Sequence, residues 1–398
     1  MHPTLPDSDP RQEMSPRLLN LISALLVSCL SVTMRADSRL LAKLPGPSGT
    51  AVAFSRDGKL LLTAGGDEAR VWDAETYKPL TDPLRQGDGN SLTLAALSPD
   101  GRRVLTAHEN EAWLWDVATG RRLFTIRHGG AIKVADFSPD GSSILTAGGT
   151  NAAELWDALS GERLKSFAQD DPVEFAAFAP NGSRLLTITA PHPPGSGGLQ
   201  VWDVTSGRKV GRRHADLSMF GEPPTRRPAA LSADGGSVLS LYTWIAFLWD
   251  ADTGGYLGEV EGRPDYLGWD LGFARAVAFS PDGARVAIAG HRAAGVWPLK
   301  DGRLDDKKWD TTFTVQNIQD LQFSPDGRRL LIVTDSDHSG VWDVDRGEQV
   351  LRLTEKSSTK VPAVAFSPDG RRVAAGFPSD GFTGVWRVEP QTEQTEHP

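Results

Sequence analysis

The amino-acid sequence predicts an all-β chain of eight four-stranded units closed into a ring, a β-propeller. Three observations lead there. A Ser-Pro-Asp-Gly type of turn recurs along the chain, and a tryptophan follows each copy. The first patterned segment of the chain also resembles the one strand that the last unit lacks.

The turn appears as SRDG (55–58), SPDG (98–101), SPDG (138–141), APNG (179–182), SADG (232–235), SPDG (280–283), SPDG (324–327) and SPDG (367–370). The final glycines are 43, 40, 41, 53, 48, 44 and 43 residues apart. Segments such as 276–279 and 285–289 on either side are short apolar runs of the kind a packed sheet buries. Between them Pro281 presets φ, Asp282 supports the bend and Gly283 supplies the positive φ that rejoins the second strand. The third strand of each unit carries Trp72, Trp115, Trp156, Trp202, Trp249, Trp297, Trp342 or Trp386 as its structural repeat residue. Asp follows six of these, and Pro298 and Arg387 replace it in the other two. A second turn, such as DVATG (116–120) or DVDRG (343–347), leads to a fourth strand such as RRLFTI (121–126). Four antiparallel strands at a period of about 40–50 residues describe a propeller blade.

In AFSPDG, the LLTAGG-like second strand and the Trp-Asp pair, the chain resembles the WD40-repeat family over residues 38–388. The resemblance implies a non-catalytic scaffold for protein–protein interaction. Family members often add a Gly-His pair before the first strand and an Asp in the turn ahead of the Trp, which build a buried hydrogen-bond network. Here the Gly-His pairs are essentially missing, and Asp67 and Asp337 are the better candidates for the turn Asp. Hydrophobic stacking between blades is therefore expected to hold the ring, more than that network.

Only seven of the eight units are followed by a fourth strand. Ahead of the first unit lies DSRLLAKLPG (37–46), which resembles fourth-strand segments such as GERLKSF (161–167). Residues 40–44 are expected to complete the blade begun by 363–388, because an open ring would leave two unpaired sheet edges. Seven blades, the alternative, would require discarding a good repeat.

Residues 1–37 read as a signal or anchor segment with a disordered start. Arg17 precedes an apolar run over 18–27, and Leu26-Val27-Ser28-Cys29 resembles the lipobox of bacterial lipoproteins, whose cysteine is acylated. Cys29, the chain's single cysteine, is thus the candidate lipidation site. The leading expectation is an exported, lipid-anchored protein of a bacterial envelope, touching the membrane through this segment only. An uncleaved anchor, ordinary cleavage, and a cytoplasmic chain with a mis-assigned start remain as alternatives. Residues 389–398 read as a disordered polar tail.

A formal net charge of −9 lacks the electrostatic footprint of a nucleic-acid binder. One cysteine excludes an internal disulfide framework and a cysteine-rich zinc site. His108, His128, His192, His214, His291 and His338 fall in different blades or loops. No G-x-S-x-G, H-E-x-x-H, P-loop or CxxC pattern appears. Catalytic residues, a metal site and a cofactor are not expected, and the propeller is expected to be monomeric.

The longest insertions are 188–200, 211–228, 260–275 and 305–318, in consecutive blades. Connections between the second and third strands, and between one blade and the next, emerge on one face, so the four are expected to share it. Long loops on a rigid scaffold are where function concentrates. Their Phe220, Tyr266, Trp269, Phe273, Trp309 and Phe313, with Arg226, Arg227 and Arg263, are the candidate partner-binding residues, since aromatic and Arg side chains dominate binding hot spots. The competing reading is a ligand-binding, sensing or hydrolytic propeller with polar groups at the channel mouth, for which the loops offer Glu222, Asp265 and Asp270.

Overall fold

The computed structural model describes residues 39–46, 49–87, 89, 91–189, 198–215, 228–242, 245–261, 274–304, 310–336, 338–353 and 361–388. Among them the regular elements are strands, with no α-helix, and they form eight small antiparallel sheets. Blade 3 shows the plan: Val134–Phe137, Ser143–Ala147, Ala152–Asp157 and Arg163–Ala168 run from the innermost strand to the outermost. The innermost strand of blade 1, Ala51–Phe54, touches those of blade 2, Leu94–Leu97, and blade 8, Val364–Phe366, so the blades close a ring.

Blade 8 closes as the strand count predicts. Its sheet order runs Val364–Phe366, Arg372–Phe377, Phe382–Arg387 and then Leu40–Pro45 from the other end of the chain. Leu44 of this closing strand is buried and packs with Trp72, Ala374 and Val385. The ring has eight blades, not seven.

The Asp-Gly turns earn their repetition through hydrogen bonds. In blade 6 the Ser280 hydroxyl donates to Asp282 Oδ1 at 2.5 Å and accepts the Arg285 N–H at 2.9 Å, while Asp282 Oδ1 accepts the Ala284 N–H at 3.0 Å. Gly283 closes the turn at φ 70°, where a side chain would be strained. The same Ser–Asp pair is built in every blade except blade 4, where Ala179 and Asn181 stand in.

The core lies between blades, because each sheet buries both faces against its neighbours. Each strand-three Trp from blade 1 to blade 7 packs into the cluster of the preceding blade: Trp115 against Leu62 and Val71, Trp202 against Leu145 and Leu155, Trp297 against Leu239 and Leu248. Burying such a ring is worth several times the contribution of one hydrogen bond, in line with the expected hydrophobic stacking. A short polar link persists beside it. The indole N–H of Trp72, Trp115, Trp156, Trp202 and Trp249 donates to Thr63, Thr106, Thr146, Thr187 and Ser240 at 2.7–3.1 Å. In blade 3 the link extends to a histidine, with His128 Nδ1 at 3.1 Å from Thr146 Oγ1. Asp67, expected in the turn network, instead faces Arg85 at 3.8 Å; Glu68 beside it is the buried acid, 2.6 Å from the same guanidinium. Asp337 lies outside the described residues.

Arginine sews blades together. Two residues after the turn glycine, Arg103, Arg184, Arg285, Arg329 and Arg372 begin the second strand and reach the next blade. Arg103 donates to Ala158 O at 2.8 Å, Arg285 to Gly327 O at 3.0 Å, and Arg329 to Gly370 O at 3.2 Å. Arg372 crosses the seam from the last blade to the first, donating to Gly58 O at 3.0 Å and to Ala74 O. Leu60 fills this place in blade 1, against the Gly101 turn.

Blade 6 departs from the plan, and Pro298 is the reason. In the other Trp-Asp blades the Asp N–H closes the following turn, as Asp116 N does on Arg121 O at 2.9 Å. Proline has no N–H to give. The third strand therefore continues to Lys300 and turns back through Asp301 and Gly302, with φ 51° and 72°, the signature of a two-residue type I′ hairpin. The outer strand is split into Arg303–Leu304 and Thr311–Phe313.

Candidate functional site

The strand ends locate three of the four insertions. Residues 190–197 leave blade 4 between Thr189 and Gly198, whose neck is pinned by the Gly198 N–H donating to Thr189 Oγ1 at 3.0 Å. Residues 216–227 join the outer strand Lys209–Ala215 to the inner strand Ala229–Leu231. Residues 262–273 join Tyr256–Glu261 to Ala274–Phe279. In antiparallel four-stranded blades these attachment points all sit at one end of the strands, away from the Ser-x-Asp-Gly turns. The sheets beneath are rigidly paired, as in Ser237↔Asp250 through Tyr242↔Ile245.

The fourth insertion reaches that end only through residues 314–317, which join Thr311–Phe313 to Ile318–Phe323. It interrupts the outer strand of blade 6 midway, between Leu304, paired to Leu299, and Thr311, paired to Val296. Phe313 is a core residue here, 2% exposed in the cluster with Ala294, Val296 and Val315, so it is removed from the candidate partner surface. Its register opposite Ala294 turns the ring inward between blades 6 and 7. Phe220, Arg226, Arg227, Arg263, Tyr266, Trp269, Phe273 and Trp309 lie outside the described residues, as do Glu222, Asp265, Asp270 and Cys29. The eight repeat tryptophans stand where the pattern puts them, on the third strands, six of them buried and Trp156 and Trp249 partly so.

The repeated aspartates are committed to turns. Asp116 Oδ1 accepts the Thr119 hydroxyl at 2.6 Å and the Thr119 N–H at 2.8 Å, and both bonds hold its carboxyl below the usual range. Asp203 and Asp250 repeat this with Ser206 and Thr253. In the first turns, the Ser55 hydroxyl and Lys59 N–H lower Asp57, and the Ser138 hydroxyl and Ser142 N–H lower Asp140. In Asp100, Asp326 and Asp369 burial pushes the carboxyl up, but the serine hydroxyl, the backbone N–H and the following arginines outweigh it. Carboxylates held ionised by their own turns are poor general acids.

Histidines are equally dispersed. His128 is buried, with Nε2 2.9 Å from Gly148 O and Nδ1 3.2 Å from Glu154 Oε2. His108 Nδ1 meets Ser91 O at 2.7 Å, and His338 Nδ1 meets Ser336 Oγ at 3.2 Å. No cluster of three metal-ligating side chains occurs among the described residues.

Residues 38–73 and 347–387 match the family model described as WD domain, G-beta repeat. The two matched stretches lie near opposite ends of the chain, on either side of the seam that closes the ring. Each matched stretch begins with the outer strand of one blade and continues through the three inner strands of the next, so each repeat fastens two blades. The chain is similar to the Arabidopsis thaliana protein named Protein ANTHESIS POMOTING FACTOR 1, 32% identical over 153 residues, covering 37% of this chain and 42% of that protein. It is also similar to Eukaryotic translation initiation factor 3 subunit I of Lodderomyces elongisporus, 30% identical over 146 residues, covering 33% and 39%. The matches thus span about two fifths of the length of these relatives. Among solved structures, the computationally designed Ika8 protein superposes with a TM-score of 0.67 at 20% identity, over 88% of this chain and all of that one. That likeness is one of fold.

Proposed function

We propose that this propeller is a non-catalytic scaffold that holds a protein or peptide partner on the face bearing the insertions of blades 4 and 5. The candidate contacts are Phe220, Arg226, Arg227, Arg263, Tyr266, Trp269 and Phe273. The observation that carries the reading is the common origin of three long insertions at one end of adjacent, rigidly paired sheets. Repeat propellers with WD40 segments generally serve as protein-binding platforms, and one relative bears the name of a subunit. The commitment of the repeated aspartates to turns supports a scaffold over a hydrolase.

Replacing Phe220, Tyr266 and Trp269 together by alanine should lower recovery of co-purifying partners at least tenfold while leaving the melting temperature unchanged. Full recovery by that variant would remove the loop face from the reading. For location, we propose a lipid anchor at Cys29, supported by the apolar run ahead of it. The Cys29→Ala chain should move from the membrane to the soluble fraction, and an unaltered distribution would dismiss the anchor.

A further inference from the structure

A second recessed surface lies at the other ends of the strands, among the Ser-x-Asp-Gly turns. It is a cavity of about 900 Å³ between blades 8 and 1, within the size range of ligand and peptide pockets. Its origin is topological. Elsewhere the turn after the Trp strand leans on the outer strand of the preceding blade, as Gly161 does on Phe124, where an added Cβ would stand 2.7 Å from the ring. Blade 8 has no such turn, because its third strand ends at Arg387 and its outer strand arrives from the other end of the chain. Among the described residues, no such turn lies beside the chain-closing seam.

What lines the space differs from the other blades in two ways. Tyr77 adopts φ 57° at the turn position that is glycine at 120, 161, 207, 254 and 347, with φ 66–75°. A side chain in that region costs on the order of 1 kcal/mol, and such strain concentrates at functional positions. Tyr77 lines the cavity together with Leu41 of the closing strand, and both pack against the buried cluster that holds Leu44 and Trp72. Second, Arg387 stands where six blades carry the aspartate after tryptophan, so the local charge is reversed. Arg387 and Arg371 both line the cavity, and neither guanidinium makes a hydrogen bond or ion pair among the described residues. Arg372 beside them is engaged by the carbonyls of blade 1. Of the lining carboxylates, Asp57, Asp73 and Asp369 accept hydrogen bonds from their own turns. Glu75, on the blade 1 side, is the remaining one.

We propose that this seam cavity binds an acidic, partly apolar peptide segment of a partner protein. Its apolar side chain rests on Leu41 and Tyr77, and its carboxylate pairs with Arg371 and Arg387. Bidentate pairing is the geometry that favours arginine for this task. The site lies on the face opposite the long insertions and does not depend on them.

The probes are two pools of random hexapeptides, one drawn from Leu, Tyr, Asp and Glu and the other from Leu, Tyr, Asn and Gln, passed over the immobilised full chain. The acidic pool should be retained at least tenfold more than its amide counterpart. The variant Arg371→Glu/Arg387→Glu should lose that excess, and Glu75→Gln should increase it. Tyr77→Gly should also reduce retention without lowering the melting temperature, since it relieves the strained φ while removing the ring. Substitution of Phe220, Tyr266 and Trp269 should leave retention unchanged, which separates this site from the loop face. Equal retention of the two pools, or an excess that survives the arginine reversals, would overturn the proposal. Residues 389–398 begin beside Val388 at the cavity edge and contain Glu389, Glu393 and Glu396. Retention that arises only in a chain ending at Val388 would assign the cavity to the protein's own tail and overturn the partner reading as well.

Discussion

Removal of the closing strand is the most demanding test of the ring. Deleting residues 1–46 strips blade 8 of its outer strand and exposes the edge of Phe382–Arg387. Leu44 is 3% exposed and sits in the cluster with Trp72 and Val385. Losing a buried leucine of this kind costs about 2–5 kcal/mol. Each ladder hydrogen bond given up to solvent adds about 1 kcal/mol, and the Gly46 N–H to Gly381 O contact at 3.2 Å goes as well. The loss is comparable to the whole stability of an ordinary domain, about 5–15 kcal/mol. Urea unfolding of the full and shortened chains measures it directly. The midpoint should fall by more than about 1 M, and a synthetic peptide of residues 37–46 supplied in trans should recover part of the shift. A graded control is Leu44→Ala alone, which should reproduce about half the effect. A shortened chain with an unchanged midpoint and cooperativity would show that the closure carries little of the ring's stability.

Three further outcomes follow from the same contacts. Arg372→Ala removes both guanidinium bonds from blade 8 to blade 1 and should cost about 1.5–3 kcal/mol in denaturant unfolding, whereas Arg371→Lys at the neighbouring position, whose guanidinium bonds to nothing in blade 1, should cost under about 0.5 kcal/mol. Gly384→Ala drives a Cβ into the space held by the Trp386 ring, so the indole must leave its place; the overpacking should cost about 1–3 kcal/mol and red-shift or quench tryptophan fluorescence. Acid should loosen the blades together. The Ser280 hydroxyl and Ala284 N–H lower the Asp282 carboxyl below its ordinary 3.8, so its contribution is full above pH 3.8 and is lost as pH falls through the lowered value. Ser280→Ala should therefore destabilise by about 1 kcal/mol at neutral pH and by much less in strong acid, measured by thermal unfolding; an equal penalty at both pH values would deny the serine its role in holding the charge.

The candidate site was less legible than the fold, for reasons visible in single residues. Phe313 looked like a loop aromatic because Pro298 and the Asp301-Gly302 hairpin break the usual spacing of the outer strand. Only the pairing Ala294↔Phe313 reveals it as strand and core. The lack of an N–H at Pro298 was written in the sequence, but its consequence depends on a partner strand further along the chain. The inter-blade arginines had a signal, Arg two residues after the turn glycine in five units. For Arg103, Arg285, Arg329 and Arg372 the acceptors include backbone carbonyls of the next blade, which no side-chain pattern records, while Arg184 reaches the Asp252 carboxylate.

Local chemistry determined the blades. Short apolar runs, Asp-Gly turns that need positive φ, and a tryptophan at constant phase specify each unit without reference to the others, because strands and tight turns answer to neighbours a few residues apart. The missing eighth outer strand could also be counted from the sequence, since the repeat leaves one vacancy and one unmatched segment. Tertiary structure alone decided what that closure does to the surface. Bringing residues 41 and 388 together leaves one blade without its second turn, and the resulting cavity gathers Tyr77, Arg371 and Arg387 from opposite ends of the chain. Residues so far apart in sequence share a site only because the ring returns on itself.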